Sequence, residues 1–239
     1  MNHPKTILIT GVSSGIGLAL SQEFLDQKNV VYGCSRRTPE SIIDHPNFHF
    51  LPLDLSELEG IKCPFEKWIS PINKFNLVIL NAGILGELTT MQHAHLNNLK
   101  NIMDINLWAN KILCDSLFKN NRTVDQLITI SSGAAVNGNL GWSGYSLSKA
   151  ALNMLTKLYA TEYPDTHFCA FAPGLVDTAM QDYLCSLQSE EKFPSLVKIK
   201  SARGTSNMPL PNEAAKKFMS VFPELLKHPS GSFVDVRKM

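Results

Sequence analysis

Three side chains in this sequence have the types and spacing for proton chemistry at a carbonyl. Tyr145 and Lys149 stand four residues apart, so on a helix both project from one face, and Ser132 follows an apolar run at residues 126–130. A free phenol has a pKa of about 10 and is a poor acid–base group at neutral pH. An ammonium about 4 Å away contributes roughly 4 kcal/mol at an effective dielectric of about 20, which is about three pKa units. The spacing therefore predicts a phenol brought close to neutrality. Tyr145 would donate a proton as hydride reaches a carbonyl carbon, and Ser132 would hydrogen-bond the developing alkoxide. Taken alone, a Tyr and a Lys at i and i+4 near a serine occur on many amphipathic helices, so the reading needs a hydride source in the same chain.

Residues 10–17 read Thr10-Gly11-Val12-Ser13-Ser14-Gly15-Ile16-Gly17, directly after an apolar run and directly before an amphipathic stretch. Glycines in a strand-to-helix turn permit positive φ, let backbone N–H groups approach a pyrophosphate and aim a helix N-terminus at the anion. A second apolar run within about 30 residues completes a βαβ unit, which favours a dinucleotide cradle over a tight structural turn. About 20 residues on, where an acid would bind the ribose of NAD, the chain has Ser35 followed by Arg36 and Arg37. A guanidinium there can grip a 2′-phosphate by charge-assisted bidentate bonds, so NADP(H) is favoured; the alternative is two solvated arginines that leave the choice open. Asp54, with Leu55 beside it, is placed either to accept from the adenine amino group or to cap a helix before Glu57.

These residues need elements to hold them. Apolar runs at residues 6–10, 30–34, 48–53, 77–80, 126–130, 167–172 and 232–236 have strand length, and most are apolar at consecutive positions, as a strand buried on both faces requires. Amphipathic stretches near 16–27, 62–74, 95–118, 143–162 and 211–227 alternate with them, which predicts a doubly wound α/β sheet covered by helices. Tyr145, Lys149, Ser132 and the glycine turn then share the carboxyl edge of the sheet, where ligand crevices of open α/β sheets lie. Residues 180–211 break the rhythm with Tyr183, Leu184, Phe193, Leu196 and Met208 among Ser, Lys, Gly and Pro and only a weak helix signal before Glu190, as a substrate lid would, or a variable surface loop.

Composition narrows the partners. At 239 residues, 44% hydrophobic and 18% charged, the chain can bury one sizeable core, and strand–helix alternation uses all of it, residues 1–239, as one domain. Twenty-two Lys and Arg against 21 Asp and Glu give a net charge of +1, too balanced for a nucleic-acid field or a polybasic membrane patch. The apolar stretch after Lys5 is too short for a signal peptide, and no run of about 18 apolar residues exists to span a bilayer. Cys34, Cys63, Cys114, Cys169 and Cys185 are odd in number and form no C-x-x-C pair, which fits a reduced, cytoplasmic protein. His93 and His95 point apart on a helix and have no third ligand nearby, so no metal is expected.

In order and spacing these residues resemble the short-chain dehydrogenases and reductases: the Thr10–Gly17 turn, Asn81-Ala82-Gly83, Asn106 within Asp104-Ile105-Asn106-Leu107, Ser132, Tyr145-x-x-x-Lys149, and Pro173-Gly174. The likeness runs over essentially the whole chain. It implies a Rossmann-type parallel sheet of about seven strands and an active oxidoreductase. Gly11, Ser13, Ser14, Gly15, Ile16 and Gly17 would cradle the dinucleotide, Asn81, Ala82 and Gly83 would flank it, and Lys149 would also bind the nicotinamide ribose. Asn106 would support a water-linked proton relay, and Pro173, Gly174, Val176 and Thr178 would line the nicotinamide pocket. The long helices after Asn81 and around Tyr145 correspond to the family's usual dimer or tetramer faces, implying a homodimer or homotetramer.

Within the family, Gly141-Trp142, the stretch from Ala172 to Gln181 and the stretch from Asn81 to Gly86 look like the sepiapterin reductase and benzil reductase branch, whose members reduce bulky or vicinal dicarbonyl compounds with NADPH. Asp235 is similar in place to the aspartate with which sepiapterin reductases anchor a pterin. Trp142, Leu85, Tyr183 and Phe193 suggest an apolar, aromatic pocket, with Gly174 beside it. The expectation is an NADPH-dependent carbonyl reductase. The alternatives are a non-catalytic NADP-binding regulatory protein, or a short-chain dehydrogenase for another alcohol–ketone pair of the 3-oxoacyl or hydroxysteroid type.

Overall fold

The structure is a computed structural model that describes residues 4–239. Seven strands, β1 (Thr6–Thr10), β2 (Val30–Ser35), β3 (Phe48–Pro52), β4 (Lys74–Leu80), β5 (Thr123–Ile130), β6 (His167–Ala172) and β7 (Ser232–Asp235), form one parallel sheet in the order β3-β2-β1-β4-β5-β6-β7. The helices are α1 (Gly15–Asp26), α2 (Leu58–Ile69), α3 (Leu96–Met103), α4 (Ala109–Leu117), α5 (Ser143–Glu162), α6 (Ala179–Ser186), α7 (Ser195–Ala202) and α8 (Pro211–Leu225). This is the doubly wound Rossmann-type arrangement.

Why the strands read as continuous apolar runs is visible in β1. Ile7 and Ile9 face one layer, with Leu20 and Phe24 of α1 and Phe218 and Phe222 of α8. Leu8 faces the other, with Phe65 of α2, Leu113 of α4 and Tyr159 of α5. Full burial of such side chains stabilises by roughly 1.5–3 kcal/mol each, which is what makes two-sided coverage of the sheet worthwhile. Phe171 of β6 meets Phe218 and Phe222 edge-on at centroid distances of 5.2 and 5.6 Å.

The chain winds outward from β1 to β2 to β3, then returns so that β4 pairs with β1 on its free side, Ile7 opposite Leu77 and Ile9 opposite Ile79. Successive crossovers therefore diverge between β1 and β4, and the crevice opens at their carboxyl ends.

Two features depart from the sequence expectation. β4 and β5 begin three residues earlier than their apolar runs. Lys74 and Asp125 pair at 2.8 Å, and Asn76 donates to Asp125 at 2.9 Å while accepting from the Thr6 N–H at 3.0 Å, so polar side chains that hide the strand from a hydropathy pattern satisfy each other across it. Residues 180–211 are more regular than expected: α6 occupies the weak helix signal before Glu190, and α7 follows where no helix was expected. Leu184, Phe193, Leu196, Ile199, Ala202 and Met208 bury together with Leu85, Leu88 and Tyr145. Packing of this kind supports helices of two turns that would be marginal alone. Among the described residues, no helix is long and apolar enough to cross a membrane.

Candidate active site

After β1 the backbone passes through Gly11 at φ +76° and folds so tightly that a Cβ on Gly17 would lie 2.2 Å from the Gly11 carbonyl oxygen and 2.6 Å from Asn81 Nδ2. Ser14 is extended and α1 starts at Gly15, which leaves the first-turn N–H groups without helical partners. Gly11, Ser13, Ser14, Gly15 and Ile16 line a cavity of about 400 Å³ at this point. The turn is tied across the crevice to β4. Thr10 Oγ1 accepts from the N–H groups of both Asn81 and Ala82 at 3.0 Å, and Asn81 Nδ2 donates to Thr10 O at 2.9 Å.

At one end of the cavity, Ser35 Oγ donates to Arg37 O at 2.7 Å, and Arg36 and Arg37 stand exposed on the wall without an ion pair among the described residues. Asp54 accepts from the N–H and hydroxyl of Ser56 at 2.9 and 2.7 Å, forming an Asx turn; the residue capping α2 is Glu57. Burial pushes the Asp54 carboxyl up, but the Ser56 bonds and the Arg36 charge together hold it below the usual range.

At the other end, Ser132 follows β5 and Tyr145 and Lys149 occupy the first turns of α5, all three lining the same cavity. Lys149 Nζ donates to Ile130 O at 2.7 Å and lies 5.7 Å from the centroid of the Tyr145 ring. Ser132 Oγ accepts from Ala134 N–H at 3.1 Å, and its hydroxyl lies on the same stretch of wall as the Tyr145 phenol. The Trp142 ring packs 6.0 Å from that of Tyr145, and its Nε1 donates to Ser195 Oγ of α7 at 2.8 Å, tying α7 to the start of α5.

The electrostatics differ from what the i, i+4 spacing predicts. Burial pushes the Tyr145 phenol up to about 12, only partly opposed by the nearby Ser132 hydroxyl, and pushes the Lys149 ammonium down to about 8. Spacing correctly brings the ammonium to the ring, but desolvation opposes both charges and wins. Tyr145 is thus held protonated at neutral pH.

Asn106 lies fully buried in a π-helical turn, Asp104–Trp108, between α3 and α4. Its Oδ1 accepts from Ile84 N–H and its Nδ2 donates to Ile84 O, both at 2.8 Å, and Nδ2 also donates to Ser148 Oγ at 3.0 Å. The amide thereby substitutes for a backbone partner of the segment leaving β4. Gly83 is needed in that segment because a Cβ there would lie 3.0 Å from Asn106 Oδ1 and 3.4 Å from Lys149 Nζ. The extra residue of a π-turn inside an otherwise continuous helix is what swings this side chain inward.

A model of the short chain dehydrogenase family matches residues 5–188. The chain belongs to this family. It is 30% identical over 248 residues to a benzil reductase ((S)-benzoin forming) of Bacillus cereus, covering 97% of this chain and 99% of that protein. It is 31% identical over 193 residues to a benzil reductase ((S)-benzoin forming) of Saccharomyces cerevisiae, covering 74% and 73%. Its fold matches the crystal structure of the YIR035C short chain dehydrogenase/reductase from Saccharomyces cerevisiae with a TM-score of 0.82 at 24% identity, over 97% of this chain and 95% of that one. The protein is accordingly a short-chain dehydrogenase/reductase, an oxidoreductase of carbonyl–alcohol pairs.

In this family the crevice takes a nicotinamide dinucleotide, and the cradle fits one: a Gly17 Cβ would fill the turn, and free helical N–H groups border the cavity. The wall also includes Ser35, Arg36, Arg37, Asp54, Leu55, Asn81, Ala82, Gly83, Pro173, Gly174, Val176, Thr178 and Trp142. Gly17 and Asn106 sit behind the wall and shape it. Leu85, Phe193, Tyr183 and Asp235 do not reach it. Leu85 and Phe193 are buried beneath in the apolar cluster, and Tyr183 faces outward. Asp235 is buried against Arg237, which donates to it through Nε at 2.9 Å and Nη2 at 2.5 Å. The short helical turn Val236–Lys238 folds the guanidinium back onto the aspartate, a contact that strand position alone does not reveal. Met180, Gln181 and Leu184 of α6 do line the cavity, and their i, i+3/i+4 spacing is the sign of it in the sequence. Cys34 also lines it, with its thiol pushed up to about 12 by burial and so unreactive.

Carbonyl reduction by the free enzyme should consequently depend on Lys149 from the alkaline side. Its ammonium is present below about pH 8 and lost above it, whereas Tyr145 stays protonated to about 12. We expect kcat/KM for reduction to be flat from about pH 6 to 8 and to fall above that. A profile that rose through pH 8 would show that the phenolate, not the phenol, is the working form.

Proposed function

We propose that this protein is an NADPH-dependent carbonyl reductase whose substrates are ketones of the vicinal dicarbonyl type, benzil among them. The observation that carries this is one continuous cavity with a protonated Tyr145 beside Ser132 and Lys149 at one end and two unpaired arginines at the other. The apolar wall of Trp142, Leu175, Met180 and Leu184 suits aromatic substituents, and two relatives that span most of this chain are benzil reductases.

When bound, the dinucleotide supplies the hydride that reduces the carbonyl carbon. Tyr145 donates its hydroxyl proton to the carbonyl oxygen. Ser132, whose oxygen already accepts from Ala134 N–H, has its own O–H free to steady that oxygen as charge develops. Lys149, anchored on the Ile130 carbonyl beside the Tyr145 ring, adds positive charge near where the phenol loses its proton. Arg36 and Arg37 grip the 2′-phosphate that distinguishes NADPH. We read α6 and α7 as the cover of the substrate end.

Purified protein should consume NADPH when offered benzil. Arg36→Ala should raise the KM for NADPH about 10- to 100-fold, the value of a charged hydrogen-bonded contact, and leave that for NADH within about twofold. Equal effects on both cofactors would remove Arg36 from phosphate recognition. We further propose a homodimer or homotetramer built on α5 and the π-turn before α4, where Leu147, Met154 and Leu158 of α5 and Trp108 of the turn present large apolar side chains to solvent. The five cysteines are all unpaired, in keeping with a reducing, cytoplasmic setting.

A further inference from the structure

The inward face of α6 is apolar at every position but one. Met180 and Leu184 line the substrate end with Trp142 and Leu175, and between them stands Gln181, a cavity residue only 8% exposed. Its backbone is conventional, with the N–H donating to Thr178 O at 2.8 Å near the start of the helix. Its side-chain amide is different: neither Oε1, which is sealed off, nor Nε2, which stays accessible, has a hydrogen-bond partner among the described residues. An amide without partners in an apolar wall is costly, and the methionine and leucine on either side show that an apolar side chain fits this wall. The polar group makes sense in terms of what enters the cavity.

We propose that Gln181 determines specificity by recognising the oxygen on the carbon next to the reacting carbonyl, which makes the substrate class a vicinal dicarbonyl and the product class an α-hydroxyketone. The proposal rests on the carbonyl reductase reading above. Tyr145 and Ser132 serve the oxygen that is reduced, and a 1,2-dicarbonyl brings a second oxygen into the same apolar cavity, where it needs a donor. A primary amide offers both a donor and an acceptor, exchanged by a half-turn of its last bond. Gln181 therefore donates from Nε2 to the second carbonyl of the diketone and, turned over, accepts at Oε1 from a hydroxyl when an α-hydroxyketone lies the other way round. In the reaction, hydride adds to one carbonyl carbon, Tyr145 protonates its oxygen, NADPH leaves as NADP⁺, and the second carbonyl emerges unchanged. A ketone lacking that oxygen leaves the amide unpaired against hydrocarbon, the situation in which a polar site rejects an analogue most strongly.

Benzil and deoxybenzoin test this, since they share a carbon skeleton and differ by one carbonyl oxygen. The wild type, Gln181→Met and Gln181→Asn are compared on both, by kcat/KM or, where deoxybenzoin turns over too slowly, by its inhibition constant against benzil. NADPH affinity serves as the control for folding. Gln181→Met should lower kcat/KM for benzil at least about tenfold and leave deoxybenzoin and NADPH within about twofold. Gln181→Asn, which keeps the amide but shortens it, should fall between. Equal losses on both ketones, or no loss on benzil, overturn the role of Gln181 while leaving the reductase reading intact. A wild type that binds NADPH yet reduces neither ketone overturns the reductase reading, and this assignment with it.

Discussion

Replacing Tyr145 by phenylalanine should lower kcat for carbonyl reduction about 10²- to 10⁴-fold, the range spanned by a positioned general acid, while dinucleotide affinity stays within about twofold. The substitution is clean because phenylalanine keeps the ring, and it is the ring that packs against Trp142 at 6.0 Å and lies beneath Lys149 Nζ at 5.7 Å. Only the hydroxyl is lost, and with it the proton. Lys149 retains its bond to Ile130 O, so the wall that meets the dinucleotide is unchanged. Stopped-flow reduction of benzil together with a fluorescence titration of NADPH separates the two effects. Retention of wild-type turnover would mean that the proton comes from elsewhere. The same chemistry implies a directional bias. With burial holding the phenol protonated at neutral pH, the free enzyme is poised to give a proton and poorly prepared to take one from an alcohol.

The second large effect belongs to the cradle. Gly17→Ala should abolish measurable dinucleotide binding and destabilise the fold by about 1–3 kcal/mol, the usual cost of forcing a methyl group into a packed site. The added Cβ meets the Gly11 carbonyl oxygen at 2.2 Å and Asn81 Nδ2 at 2.6 Å. Neither can step aside. Gly11 O is backbone in a turn at φ +76°, and Asn81 Nδ2 is held by Thr10 O, so α1 itself must lift away from β1 and carry its N–H groups out of register with the cavity. Gly138→Ala is the matched control, since nothing lies within 4 Å of a Cβ there. Thermal melts and NADPH titrations of the two variants should diverge; similar behaviour would show that the turn tolerates a side chain.

What the sequence discloses depends on whether a feature is local. The glycine turn, Tyr145 and Lys149 are each defined within eight residues, so residue type and spacing alone assign chemistry to them. The starts of β4 and β5 are hidden because Lys74, Asn76 and Asp125 satisfy one another across strands, a pattern that looks like loop. α7 is hidden because Leu196, Ile199 and Ala202 become a helix face only against Leu85 and Phe193. The tyrosine pKa escapes the sequence for a related reason. Spacing reveals that a charge is near, but only the packed fold reveals how dry the two groups are. Asp235 looks free to meet a ligand in the sequence because its partner, Arg237, reaches it through a turn that follows the strand. Gln181 is one polar residue among many in a mixed segment, and it gains meaning only when its neighbours on α6 prove to be cavity wall.

The bonds from Thr10 to Asn81 and Ala82 also bear on how the protein assembles. They join positions 71 and 72 residues apart. Closing a loop of that length costs about 4 kcal/mol of chain entropy before any contact repays it. β1 and β2 can pair as soon as both have been synthesised, but the crevice has no second wall until β4 arrives. Ligand binding is therefore a late event in folding, and dinucleotide added during refolding should leave the early phases alone and favour the final one.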